Sequence, residues 1–136
     1  MIDKKLMDSL LIDAIKIAEM AYAPYSKFRV GAALLCEDGS VVTGVNVENR
    51  SYGLTICAER NAVCKAVSMG KRSFSALAIS TPDSAEPVGP CGACRQVLGE
   101  FLQSDTPVRF SGSNGKIVDT TMGELLPFDS LHELRK

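Results

Sequence analysis

Two short segments hold the residues best suited to chemistry: Cys57-Ala58-Glu59 and, further along, Pro90-Cys91-Gly92-Ala93-Cys94. Together they offer three thiolates and a carboxylate two residues from the first thiolate. Three protein ligands suit a catalytic zinc better than a structural one, because the fourth position stays open for water. A neighbouring carboxylate that does not bind the metal can then move that water's protons. Cys91 and Cys94 lie three apart, so one helical turn presents both on one face. Both clusters fall where a helix is predicted to begin, and the unpaired N–H groups there favour negative charge. Gly92 lets the backbone approach a metal closely.

Three thiolates leave a zinc centre with net negative charge, which makes it a weak acidifier of water. Arg60, directly after Glu59, is the candidate to donate to the thiolates and draw charge away, with Gln96 in a similar supporting role. Two other readings compete. Cys91-x-x-Cys94 is also the spacing of a redox pair. A closed structural zinc site would need a fourth ligand, for which Cys36, Cys64 and His132 are the candidates. Cys36 and Cys64 lie within apolar segments and read as buried core thiols. His132, in a charged C-terminal stretch, reads as a solvated surface residue.

The elements that must position these residues follow from hydrophobic spacing. Residues Asp3 to Tyr22 show a helical stripe of Leu6, Leu10, Ala14, Ile17 and Ala21, broadened by Leu11, Ile15 and Ala18. Pro24 ends it. Val30 to Cys36 and Val41 to Val47 read as a hairpin around Glu37-Asp38-Gly39-Ser40. A helix from about Cys57 to Met69 is closed by Gly70. Phe74 to Thr81 is a strand, Pro82 to Gly89 a loop, and Cys91 to about Leu102 a helix. Two short strands, Val108 to Ser111 and Lys116 to Thr120, flank a turn, and a brief helix near Met122 to Leu126 stops at Pro127. This order predicts an α/β fold: a three-layer α-β-α sandwich with a mixed, roughly five-stranded sheet. The stretch from Val41 through Thr81 is a candidate right-handed crossover.

At 136 residues the chain is expected to form one domain, 1–136, with a real core. Fifteen basic against sixteen acidic residues give a formal charge of −1. That balance disfavours a nucleic-acid polymer, which calls for a basic face, and favours a small substrate. Five cysteines without an export signal argue against a disulfide framework. No apolar run reaches membrane-spanning length, and the N-terminal residues lack the pattern of a signal peptide. No membrane association is expected, and the cytoplasm is the expected location.

Cys57-Ala58-Glu59-Arg60 with Pro90-Cys91-Gly92-Ala93-Cys94-Arg95-Gln96 resembles the zinc signature of the cytidine deaminases, specifically the short homotetrameric class. Ala23 to Phe28 with Val30 to Leu34, Asn46-Val47-Glu48-Asn49, and Glu124 to Pro127 resemble further segments of that family, in family order over nearly the whole chain. The resemblance implies hydrolytic deamination of cytidine and 2′-deoxycytidine to the uridine nucleosides in pyrimidine salvage, with one zinc per subunit. It implies Cys57, Cys91 and Cys94 as zinc ligands and Glu59 as the proton shuttle. Asn46 and Glu48 match the pair that hydrogen-bonds the ribose 3′-hydroxyl; Phe28 and Ala58 match further substrate contacts. The family commonly places a pyrimidine-contacting phenylalanine a few residues beyond Leu-Leu-Pro, whereas here Phe128 follows Pro127 at once; Phe128 is the candidate for that contact. The resemblance also implies a homotetramer whose active sites are shared between subunits. The blasticidin-type deaminases share both cysteine signatures, and Asn46-x-Glu48 argues for a nucleoside sugar instead.

Overall fold

The computed structural model describes residues 2–131 and 134; the expectation for His132 lies outside them. A five-stranded sheet of order β2-β1-β3-β4-β5 organises the chain, built from β1 (Gly31–Cys36), β2 (Val41–Val45), β3 (Phe74–Ser80), β4 (Pro107–Ser111) and β5 (Ile117–Thr121). β3 and β4 run parallel, and the other neighbouring pairs are antiparallel. The helices are α1 (Lys4–Ala18), α2 (Ala58–Ser68), α3 (Gly92–Phe101) and α4 (Met122–Leu125).

β1 is buried along its whole length, so its alternating side chains supply both faces of the sheet. Ala33 and Leu35 join Ala76 and Ala78 of β3 beneath Met7, Leu10, Leu11 and Ala14 of α1. Ala32 and Leu34 turn the other way, with Leu77 and Ile79, toward α2, α3 and α4. Helices therefore cover both faces of a mixed sheet, as the element order predicts. Among the described residues, no helix is long and apolar enough to cross a membrane.

Several boundaries differ from the sequence reading for physical reasons. α1 stops at Ala18, short of Tyr22, because Tyr22 is taken into pairing beyond β2. Its N–H donates to Asn46 O at 3.0 Å, and its carbonyl accepts from Glu48 N at 2.9 Å. The buried face of α1 is also narrower than the predicted stripe, leaving Leu6 and Ile15 exposed. β2 stops at Val45, and Val47 forms isolated bridges to Tyr22 and Ile56. The passage from β2 through α2 to β3 crosses over β1, and the adjacent parallel pair is β3 and β4, joined through α3. A 3-10 turn at Tyr52–Leu54 has no counterpart in the predicted elements. Cys36 is buried, but Cys64 is exposed. Cys64 follows Val63 on α2, about 100° around the helix from the buried face.

Gly44 sets the height of α2 on the sheet. A Cβ at this position would lie 2.5 Å from Ala62 N and 2.6 Å from Ala58 O, so only glycine lets the helix rest directly on β2. The first turn of α2, with Ala58 and Glu59, is thereby pressed against the sheet.

Candidate functional site

Cys57 and Cys91 occupy the same structural position, each as the N-cap of its helix with extended backbone angles. The residue four positions on braces each cap in the same way. Asn61 donates its backbone N–H to Cys57 O at 3.0 Å, and Arg95 does so to Cys91 O at 2.9 Å. The Asn61 side chain reaches back to Ile56 O at 3.4 Å and to Val45 O at 2.7 Å. The Arg95 Nε reaches Pro90 O at 2.8 Å, and its Nη1 reaches Leu125 O at 3.1 Å. Both helix entrances are thus fixed to neighbouring elements before any ligand arrives.

The sulfurs of Cys57, Cys91 and Cys94 lie within 4.8 Å of one another. Cys57 and Cys91 are 3.9 Å apart, against the roughly 3.8 Å that tetrahedral zinc–sulfur bonds of about 2.3 Å impose. Three soft donors at this spacing fit zinc, and among the described residues no fourth ligand joins the group. Cys36 is buried within the core layer and Cys64 is exposed on α2; neither belongs to the cluster.

The charge balance of the cluster is visible in its proton affinities. The Cys57 thiol is pulled down to about 5, first by the hydrogen bond from Cys94 and further by Arg60. The Cys94 thiol is pushed up, because its proton is held by Cys57 and its surroundings are buried. The first proton therefore leaves easily and the last resists, until a cation compensates three adjacent thiolates. Arg60 Nη2 donates to Cys57 Sγ at 3.2 Å and holds its own proton more tightly for it. Gln96 is exposed on α3 and makes no such contact.

Glu59 stands in the first turn of α2, almost wholly buried. Burial raises its carboxyl to about 7, and the negative charge of Cys57 adds to the rise. A carboxyl balanced at this value both accepts and releases a proton near neutrality.

A pocket of about 430 Å³ connects the cluster to a second polar group. Its lining includes Cys57, Glu59 and Cys91, apolar walls from Phe28, Val30, Ile79 and Val88, and the side chains of Ser26, Asn46 and Glu48. The volume suits a small molecule. Asn46 and Glu48 are both buried. Asn46 Oδ1 accepts from Val30 N at 2.8 Å, and Nδ2 donates to Phe28 O at 2.8 Å. Glu48 Oε1 accepts from Tyr25 N at 3.0 Å and Ser26 N at 3.2 Å, while Oε2 accepts from the Ser26 hydroxyl. These donors, led by Ser26, hold the Glu48 carboxyl below its usual range, with Tyr52 contributing last. Outside this pocket, Arg29 grips Asp83 through Nε at 2.9 Å and Nη2 at 2.8 Å.

Ala58 is buried at the start of α2. Phe128 lies elsewhere: its side chain is fully exposed and lines a separate cavity with Leu126 and Pro127. Sequence reasoning missed Ser26 and Thr55 as pocket residues. Ser26 lies in a loop with no periodicity, and the Thr55 hydroxyl is buried without a partner.

Residues 4–109 match the family model described as the cytidine and deoxycytidylate deaminase zinc-binding region. A cytidine deaminase of Sporosarcina psychrophila is 52% identical over 121 residues, covering 89% of this chain and 88% of that protein. The crystal structure of cytidine deaminase from Burkholderia pseudomallei superposes with a TM-score of 0.85 at 45% identity, covering 89% of this chain and 96% of that one. A blasticidin-S deaminase of Bacillus cereus is 36% identical, covering 75% of this chain and 76% of that protein.

Buried Glu59 gives the metal-free protein a defined pH response. With its carboxyl at about 7 when folded against an ordinary 4.5, the folded state holds a proton that the unfolded state has lost. Its contribution to stability is complete below pH 4.5 and disappears as pH rises to about 7. Glu59→Gln removes this dependence. The variant should gain stability over the parent by about 3 kcal/mol between those limits, measured by denaturant unfolding of chelated protein at a series of pH values.

Proposed function

Because the chain belongs to the cytidine and deoxycytidylate deaminase family, we propose that it deaminates cytidine and 2′-deoxycytidine hydrolytically, giving uridine and 2′-deoxyuridine with release of ammonia. The observation that carries this reading is the shared pocket. Buried Glu59 and two members of the three-sulfur cluster, Cys57 and Cys91, line the same space as Asn46 and Glu48.

In this reading Cys57, Cys91 and Cys94 hold one zinc per chain. Zinc, when bound, supplies the Lewis acidity that makes water nucleophilic at neutral pH. Glu59 accepts a proton from the attacking water and delivers it to ring N3 as the oxygen bonds to C4. It then takes the proton of the new C4 hydroxyl and passes it to the amino nitrogen, so that the C4–N bond breaks, ammonia leaves and the C4 carbonyl forms. Burial serves both acts, since it brings the carboxyl near the pH at which it works. Arg60 withdraws charge from Cys57 and so keeps the cluster from becoming too electron-rich to aid the water.

Asn46 and Glu48 support a nucleoside substrate. Each has hydrogen-bonding capacity beyond the bonds to the loop: one N–H on Asn46 and one lone-pair position on Glu48 Oε2. One donor beside one acceptor matches a sugar hydroxyl. Phe28 and Val88 flank the space for the base. We assign the chain a single catalytic domain, 1–136, acting in pyrimidine salvage in the cytoplasm. Five free thiols accord with a reducing compartment.

The working unit in this reading is a homotetramer with shared sites. Its support is the apolar surface by the pocket, where exposed Tyr22, Val47 and Ile56 are linked by β-bridges and Tyr52 and Leu54 follow in the 3-10 turn. Fully exposed Phe128 is then available to a neighbouring copy and unavailable to its own pocket.

The test is loss of ultraviolet absorbance with cytidine, 2′-deoxycytidine and blasticidin as alternative substrates. Deamination of the nucleosides with blasticidin untouched is the expected result; turnover of blasticidin alone would contradict it. Glu59→Gln should keep its zinc by metal analysis and lose about a thousand-fold or more in kcat. Arg60→Gln should also keep zinc, with kcat reduced about ten- to a hundred-fold, and unchanged turnover would remove Arg60 from the mechanism.

A further inference from the structure

The segment from Ala23 to Val30 has no helix, and its backbone is held chiefly by two side chains from the segment that follows β2. Asn46 takes Val30 N and Phe28 O. Glu48 takes Tyr25 N and Ser26 N. One side chain within the segment completes the arrangement. The Ser26 hydroxyl donates to Glu48 Oε2 and accepts from Phe28 N at 3.0 Å. Lys27, between these two residues, has φ 61°, a left-handed conformation that is unfavourable for a residue with a side chain. Such a conformation persists only where the surroundings over-determine it. Here Lys27 N is bonded to Ala23 O at 3.0 Å, and the flanking groups are bonded through Ser26.

We infer that Ser26 is a positioning residue that sets substrate specificity at the sugar, holding the Glu48 carboxylate with Oε2 available to a ligand hydroxyl. This rests on the nucleoside reading given above. Without the Ser26 hydroxyl, Glu48 keeps the two backbone donors on Oε1 and the weaker contribution of Tyr52, and Oε2 loses its closest donor. The carboxylate is then free to rotate or to recruit water, and its alignment with the remaining Asn46 N–H is lost. The same hydroxyl fixes Phe28 N, so one side chain sets both the sugar acceptor and the start of the apolar wall. The contact is local to the pocket: Ser26 is exposed toward it and buries no side chain in the core.

The discriminating pair of substrates is 2′-deoxycytidine and 2′,3′-dideoxycytidine, which differ by one hydroxyl. The parent enzyme should prefer the first. In Ser26→Ala that preference, measured as a ratio of kcat/KM values, should fall about ten-fold, the size of one hydrogen bond to a charged group. The loss should appear in KM for 2′-deoxycytidine. Ser26→Thr, which keeps the hydroxyl, should restore most of the preference. If Ser26→Ala does not fold, Ser26→Cys, near-isosteric and a weaker donor, should show the same fall in ratio. Equal losses on both substrates would mean a merely structural role and would overturn the inference, as would an unchanged ratio. A parent enzyme that deaminates neither nucleoside would overturn the functional reading itself.

Discussion

Negative charge concentrated in a small, dry volume is the constraint around which this fold is arranged. Three sulfurs lie within 4.8 Å, and a buried carboxyl follows two residues after the first. Left alone, such a group resists ionisation, as the raised affinities of Cys94 and Glu59 for their protons record. Three sources of positive potential oppose this: the starts of α2 and α3, the Arg60 guanidinium, and the metal that the sulfurs are spaced to hold. The same constraint leaves Glu59 balanced near neutrality, which is what a proton carrier needs.

The sheet serves that arrangement by bringing two helix entrances together. β1, buried on both faces, lets α1 cover one side while α2 and α3 share the other. Gly44 allows α2 to sit directly on β2. Asn61 and Arg95 then fix the backbone just before each N-cap cysteine to carbonyls of neighbouring segments. Positioning therefore falls to residues that touch no ligand, and rigid secondary structure places two of the three sulfurs at helix caps. The second polar group is built differently. Asn46 and Glu48 use their side chains to organise an irregular loop while also lining the pocket.

The cysteine clusters and the helices that follow them were legible because their information is local: spacing, a following apolar stripe, and Gly70 or Leu102 at the end. The strands β1 and β3 were legible for the same reason, as short apolar runs. The end of α1 was not, since Tyr22 leaves helical conformation to pair with Asn46 and Glu48, residues remote in sequence. Cys64 read as core because its neighbours are apolar, yet the helical rotation that buries Val63 exposes it. Phe128 could be picked out by its place after Pro127, but its exposure and φ of 55° are set by tertiary context. Ser26 carried no signal of its own, because its importance lies in a hydroxyl reaching a carboxylate 22 residues away.

The central claim is an open three-sulfur metal centre, and its most direct measurement is X-ray absorption at the zinc edge on zinc-loaded protein. The account predicts one zinc per chain, with three sulfur scatterers at about 2.3 Å and one oxygen or nitrogen at about 2.0 Å. Four sulfurs would mean a closed structural site recruited from Cys36 or Cys64, and fewer than three would mean that the cluster does not act as a unit. Either result would contradict the account.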